Sequence, residues 1–133
     1  MENKLHTQLL QKMAGYPLGS QAEANDPVVV AKLLDVAGSA TWWLTEYDPE
    51  DRIGFCYVTG LAYDEWGTVS IDELFEMWMT FATDPRRNVW RVQTTKPGIG
   101  TPRIELDRSF EPKLFSEVKA MVAKYALRAS NAV

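Results

Sequence analysis

The sequence predicts an α+β fold, and three observations carry that prediction. Stretches of alternating large and small residues fill the middle of the chain, apolar residues recur at helical spacing near both ends, and a capping-box signature interrupts the strand-like region at Ser70 to Glu73. Together they describe an antiparallel sheet of four to six strands with an N-terminal helix, a helix at about 71–82 and a C-terminal helix at about 112–130.

In chain order, Leu5, Leu9, Leu10 and Met13 form the stripe of a short amphipathic helix, with Asn3 as its cap. Gly15 to Pro17 ends it, and the small, polar stretch up to Pro27 reads as a surface connector. VVVAKLL (28–34) has the β-branched, aliphatic make-up of a buried strand, and ATWWLTEY (40–47) alternates across a second. Its alternation places Trp42 and Leu44 on one face and Trp43, Thr45 and Tyr47 on the other. IGFCYVTGL (53–61) and WGTVSI (66–71) complete a meander, and YDPED (47–51) supplies the turn between the second and third strands.

Leu74, Met77, Trp78 and Phe81 lie on one face of the predicted second helix, which Asp84-Pro85 stops. NVWRVQTT (88–95) reads as a fifth strand, and RIELDRSF (103–110) as a short edge strand. Leu114, Val118, Met121, Val122, Tyr125 and Ala129 give the last helix an apolar stripe to lay on the sheet.

Composition narrows the function classes. The chain has 133 residues, 46% hydrophobic and 24% charged, with a formal net charge of -4. That suits one soluble domain, 1–133, without low-complexity tracts or repeats. No apolar run approaches the roughly 18 residues that a membrane span needs, and no leader pattern opens the chain, so a cytoplasmic location is expected. Cys56 is the single cysteine and His6 the single histidine. Neither has a ligand or catalytic partner at suitable spacing, so neither a metal nor a cofactor is expected; Cys56 reads as a packing residue and His6 as a surface one. No serine sits in a nucleophile elbow, and GIGTP (98–102) is not a phosphate loop.

Charge is distributed unevenly. Residues 46–76 carry nine acidic side chains against Arg52 alone, whereas 84–103 carry Arg86, Arg87, Arg91, Lys96 and Arg103 against Asp84. Glu46, Asp48, Glu50 and Asp51 read as a solvated turn, because they lack calcium-loop spacing. The basic segment with Trp90 is a candidate contact for nucleic acid or an acidic partner, since cations track phosphates and an indole stacks on a base; neutralisation of the acidic half of the same fold is the plainer alternative. Adjacent Trp42 and Trp43 must face opposite sides of their strand. One indole therefore needs cover from a helix or a partner, and an uncovered Trp43 beside Tyr47 and Tyr57 forms a candidate protein-binding patch.

The segments AKLLDVAGSATWWLTEYDPEDRIGFCYVTGL, EWGTVSIDELFEM and IELDRSFEPKLFSEV closely resemble a bacterial family carried by plasmids, phages and other mobile elements, catalogued as domain of unknown function twenty-nine fifty-eight. The matching motifs are Lys32 to Leu34, Thr41 to Asp51, Gly54 to Leu61, Gly67 to Leu74 and Ile104 to Pro112. They divide the domain into an N-terminal helix and connector (1–26), a family-like core (27–76 and 98–118) and an insert (77–97). Family members pass from helix to I-E-x-D segment by a short loop, where this chain has WMTFATDPRRNVWRVQTTKP.

The resemblance implies a mobile-element setting and supplies no mechanism. The expected function is that of a small non-enzymatic accessory protein that binds a protein of the host or of the element, for instance one of a host defence system. Its candidate contacts are Trp43, Tyr47, Asp48, Glu50, Asp51 and Tyr57, together with the 84–97 segment. The alternative is nucleic-acid binding through Arg86, Arg87, Trp90, Arg91 and Lys96. A third reading is an enzyme that gathers distant carboxylates such as Glu46 and Glu73.

Overall fold

Asn3 opens helix α1 (Lys4–Lys12) by accepting the His6 amide at 3.0 Å, as a cap should. Leu5, Leu9 and Met13 are buried, while Leu10 faces outward. This computed structural model describes residues 1–131. The VVVAKLL run is two strands, β1 (Val28–Val29) and β2 (Ala31–Asp35), rather than the single strand expected. The break falls at Val30, which donates instead to the Leu44 carbonyl, and the switch lets β1 pair with β10 (Lys113–Leu114).

A five-stranded antiparallel sheet forms the centre, in the order β5 (Glu65–Ser70), β4 (Ile53–Thr59), β3 (Thr41–Asp48), β2, β9 (Ile104–Leu106). One face buries Leu33, Trp42, Leu44 and Cys56 against α1 and helix α2 (Ile71–Phe75). On the other face, Trp43 packs with Val29, Phe110 and Val118 of helix α3 (Phe115–Asn131). A register shift in β3 between Leu44 and Glu46 is a β-bulge at Thr45. It reverses the alternation beyond that point. Tyr47 therefore joins the Leu44 face and Glu46 joins the Trp43 face, whereas simple alternation places Tyr47 with Trp43.

The second helix is much shorter than the expected 71–82. Ser70 caps it through the Glu73 amide at 3.2 Å, as the capping box implies, but the Met77 amide closes onto the Leu74 carbonyl and the chain then becomes β6 (Trp78–Asp84). The helical spacing of Leu74, Met77, Trp78 and Phe81 is coincidental. WMTFATD is rich in aromatic and β-branched residues, and it finds a full-length partner in β7 (Val89–Thr95), paired from Trp78↔Thr95 to Asp84↔Val89. Asp84 and Pro85, read as a helix stop, form the hairpin corner: Asp84 accepts the Arg86 amide on its side chain and the Asn88 amide on its carbonyl, and Asn88 takes φ 52°.

Strand β8 (Thr101–Pro102) pairs with the other edge of β6, making a three-stranded sheet in the order β7, β6, β8. Gly100 permits this approach, since at φ 85° a Cβ there lies 2.1 Å from the Met79 carbonyl oxygen. Helix α3 begins three residues later than expected, after β10, with the Asp26 carboxylate accepting both the amide and the hydroxyl of Ser116. Its apolar stripe is only partly used. Val118 is buried and Val122 packs beside it, but Leu114 and Tyr125 are exposed.

Candidate partner interface

Hairpin β6–β7 stands apart from the five-stranded sheet, and its sequence explains its two faces. Directly opposed residues share a face, so Phe81 and Val92 lie beside Thr83 and Trp90 on one side, and Ala82 and Arg91 beside Thr80 and Gln93 on the other. Phe81 is 55% exposed, Val92 41% and Trp90 71%. Burial of Met79 at the root anchors the hairpin and leaves the distal two-thirds open to solvent.

Charge surrounds the apolar face. Arg86 and Arg87 occupy the tip, Arg91 the back, and Lys96 follows the end of β7; all four are exposed. Of these four, among the described residues, only Arg87 has a carboxylate in ion-pair range, Asp84 at 3.9 Å within the same turn. None of the four forms an ion pair with the acidic side chains of 46–76 among the described residues. A hollow of about 410 Å³ runs along the hairpin past Asp84, Arg86, Arg91 and Gln93.

The aromatic patch expected at Trp43, Tyr47 and Tyr57 is not a surface. Trp43 is 5% exposed, donates from Nε1 to Thr59 Oγ1 at 3.0 Å, and meets Phe110 edge-on at 5.8 Å. Tyr47 is 2% exposed on the opposite face because of the bulge. Tyr57 is half-buried against Phe115, ring to ring at 4.9 Å. Intramolecular cover by α3 and its preceding loop answers the demand that two adjacent tryptophans create.

Asp48, Glu50 and Asp51 do form a turn, with Asp48 accepting the Glu50 amide at 3.0 Å. No group of three metal-ligating side chains occurs among the described residues. Glu46 leaves that turn altogether: its two oxygens accept the Gly19 and Gln21 amides at 2.8 and 2.9 Å, on the α3 side of the sheet. Glu73 is exposed on α2, which covers the other side, so the two carboxylates are not gathered.

A polar network around His6 has no signal in the sequence. His6 Nδ1 lies 2.6 Å from the Tyr47 hydroxyl, Asn3 donates to Asp72 at 2.7 Å, and Arg52 donates to the same Asp72 oxygen at 3.0 Å. His6 is thus half-buried and partnered, not a free surface residue. Burial, and then the Arg52 charge, push its pKa below the ordinary histidine value, while burial pushes Tyr47 up to about 12. The Asn3 hydrogen bond, and secondarily Arg52, hold the Asp72 carboxyl low. With Tyr47 keeping its proton at neutral pH, this network joins α1, the β3–β4 turn and α2 as a structural lock.

The family model for a protein of unknown function, DUF2958, matches residues 1–97. The chain belongs to the DUF2958 family. The match takes in α1, the connector, four strands of the central sheet, α2 and hairpin β6–β7, and ends before Ile104 to Pro112. No curated protein and no solved structure matches this DUF2958 chain.

Proposed function

We propose that this DUF2958 protein is a small non-enzymatic accessory protein of a mobile genetic element, working in the cytoplasm by binding another protein through hairpin β6–β7. The carrying observation is the hairpin's composition and exposure. Phe81, Trp90 and Val92 present an uncovered apolar face, with Arg86 and Arg87 at its tip and Arg91 on the reverse side of the hairpin. Aromatic side chains and arginine are residue types enriched at the energetic centres of protein interfaces, and a partner with an acidic rim complements the arginines at the tip. The mobile-element setting rests on the motif resemblance alone, and a host defence component is the partner class which that setting suggests.

Nucleic-acid binding by the same hairpin is the second reading, favoured by Arg86, Arg91 and Lys96, which form no ion pair among the described residues, and by the open indole of Trp90. Titration of the purified protein with duplex and single-stranded oligonucleotides at several salt concentrations separates the two. Affinity that falls steeply with salt and disappears in the Arg86→Ala, Arg91→Ala double variant supports nucleic acid. No binding at low salt, with a protein partner retained after nuclease treatment, supports the protein-binding role.

A further inference from the structure

We propose that the cleft between the connector and the α3 side of the sheet is a binding site for a small organic cation, an ammonium or guanidinium group carried on an apolar body. The cleft lies on a different part of the chain from the hairpin, and this inference does not rest on the hairpin's role. Its volume is about 530 Å³, within the range of small-molecule sites, roughly 300–1,000 Å³.

Aromatic rings form the wall. Phe55 stacks on Trp66 with centroids 5.5 Å apart and planes 13° from parallel, and Trp66 meets Phe115 at 4.6 Å. Trp66 remains 37% exposed. The faces of such rings carry negative potential, so they attract cations and disfavour anions. Lys119 approaches Phe115 at 6.0 Å but does not line the cleft.

The polar end is Glu46 with Thr45 and Gln21. Glu46 is there because the bulge at Thr45 turns it onto this face, opposite Phe55. Glu46 is only 6% exposed, and its carboxylate is held in place by the Gly19 and Gln21 amides. Two amides use about half of the acceptor capacity of a carboxylate, which has roughly four sites. Among the described residues, Glu46 is the only charged one lining the cleft, and no lysine or arginine forms an ion pair with it. A fixed, buried carboxylate at the end of an aromatic wall is complementary to a cation with an apolar body. It is uncomplementary to phosphates and carboxylic acids.

The test is isothermal titration calorimetry of the full chain with phenethylamine, its neutral counterpart 2-phenylethanol, its acidic counterpart phenylacetate, and the guanidinium probe agmatine. Phenethylamine should bind at least about tenfold more tightly than 2-phenylethanol, and phenylacetate should bind weakest. Glu46→Gln keeps an acceptor for the connector and should abolish the preference of amine over alcohol. Trp66→Leu, on an edge strand outside the connector's hydrogen bonds, should weaken the amine about fivefold with the fold retained by circular dichroism. Should Glu46→Gln fail to fold, Trp66→Leu decides. Equal affinity for amine and alcohol, amine binding unchanged in Trp66→Leu, or no saturable heat from either cation up to about 10 mM overturns the proposal.

Discussion

Arg103 grips Asp35 through two parallel hydrogen bonds, Nε to Oδ1 at 2.7 Å and Nη2 to Oδ2 at 2.8 Å. The backbone of Arg103 also donates to the Met77 carbonyl at 2.7 Å and accepts from the Val36 amide at 3.0 Å. One residue therefore joins the end of β2 to the root of β6, which is where the projecting hairpin is anchored. Arg103→Ala leaves the buried Asp35 carboxylate without its cation and should cost roughly 3–5 kcal/mol in denaturant unfolding. Arg103→Lys should recover only part of that, because a lysine cannot make the paired fork. A loss below about 1 kcal/mol for Arg103→Ala contradicts this role.

The same pair sets an acid limit. Burial works to raise the Asp35 carboxyl, but the Arg103 hydrogen bonds and the Ala37 and Gly38 amides outweigh it and hold the pKa below the ordinary 3.8. A folded-state pKa below the unfolded one gives stability that is present above pH 3.8 and is lost as pH falls through the folded value. Asp72 and Asp107 are lowered too and act in the same window. Melting temperature should fall steeply below about pH 4, and the slope should be shallower in Arg103→Ala. Parallel slopes in the two proteins would show that Asp35 is not a contributor.

His6 acts in a higher window. Its folded pKa lies below 6.5, so the folded state prefers the neutral ring; stability is full above 6.5 and declines as pH falls from 6.5 through the folded value. An NMR titration should place His6 below 6.5 in the native protein, and His6→Gln should remove this part of the pH dependence. A native value above 6.5 reverses the sign and the account of the lock.

Much of the fold was legible because its signals were local. Asn3 and Ser70 are caps in fact as in sequence, and the strands around Trp42, Cys56 and Val92 follow from alternation. Two departures from those local signals have physical causes. In Leu74 to Phe81, the helical and strand periods both place apolar residues acceptably, and the decision came from a partner strand eleven or more residues away in sequence, β7. At Thr45 a single bulged residue inverted the facing of everything after it, which moved Tyr47 into the core and Glu46 into the cleft. Of the candidate contacts, the exposed arginines and Trp90 were readable from charge and composition. The His6–Tyr47 pair was not, because it joins residues 41 apart through tertiary packing alone.

Cys56 should be inert in the native state. The thiol is fully buried, and burial pushes its pKa up to about 12, so almost no thiolate forms near neutral pH. Alkylation followed by mass spectrometry should show modification only after denaturation. Rapid native labelling at pH 8 contradicts the packing seen around β4.

Trp43 should behave as core and Trp90 as surface. Trp43→Ala removes an indole packed on Phe110, lying under Lys32 Nζ at 4.9 Å and hydrogen-bonded to Thr59, and should cost roughly 3–5 kcal/mol. Trp90→Ala should change stability by less than about 0.5 kcal/mol. Comparable losses at the two positions would mean that the hairpin face is covered rather than open.

The most direct test of the hairpin's role is affinity capture of the tagged protein from its native cells, with nuclease treatment, alongside a variant carrying Arg86→Ala, Arg87→Ala, Trp90→Ser and Arg91→Ala. All four side chains are exposed, so the melting temperature of the variant should stay within about 3 °C of the parent. One stoichiometric protein partner should survive nuclease and be lost from the variant. A partner retained equally by the variant would contradict the hairpin's role.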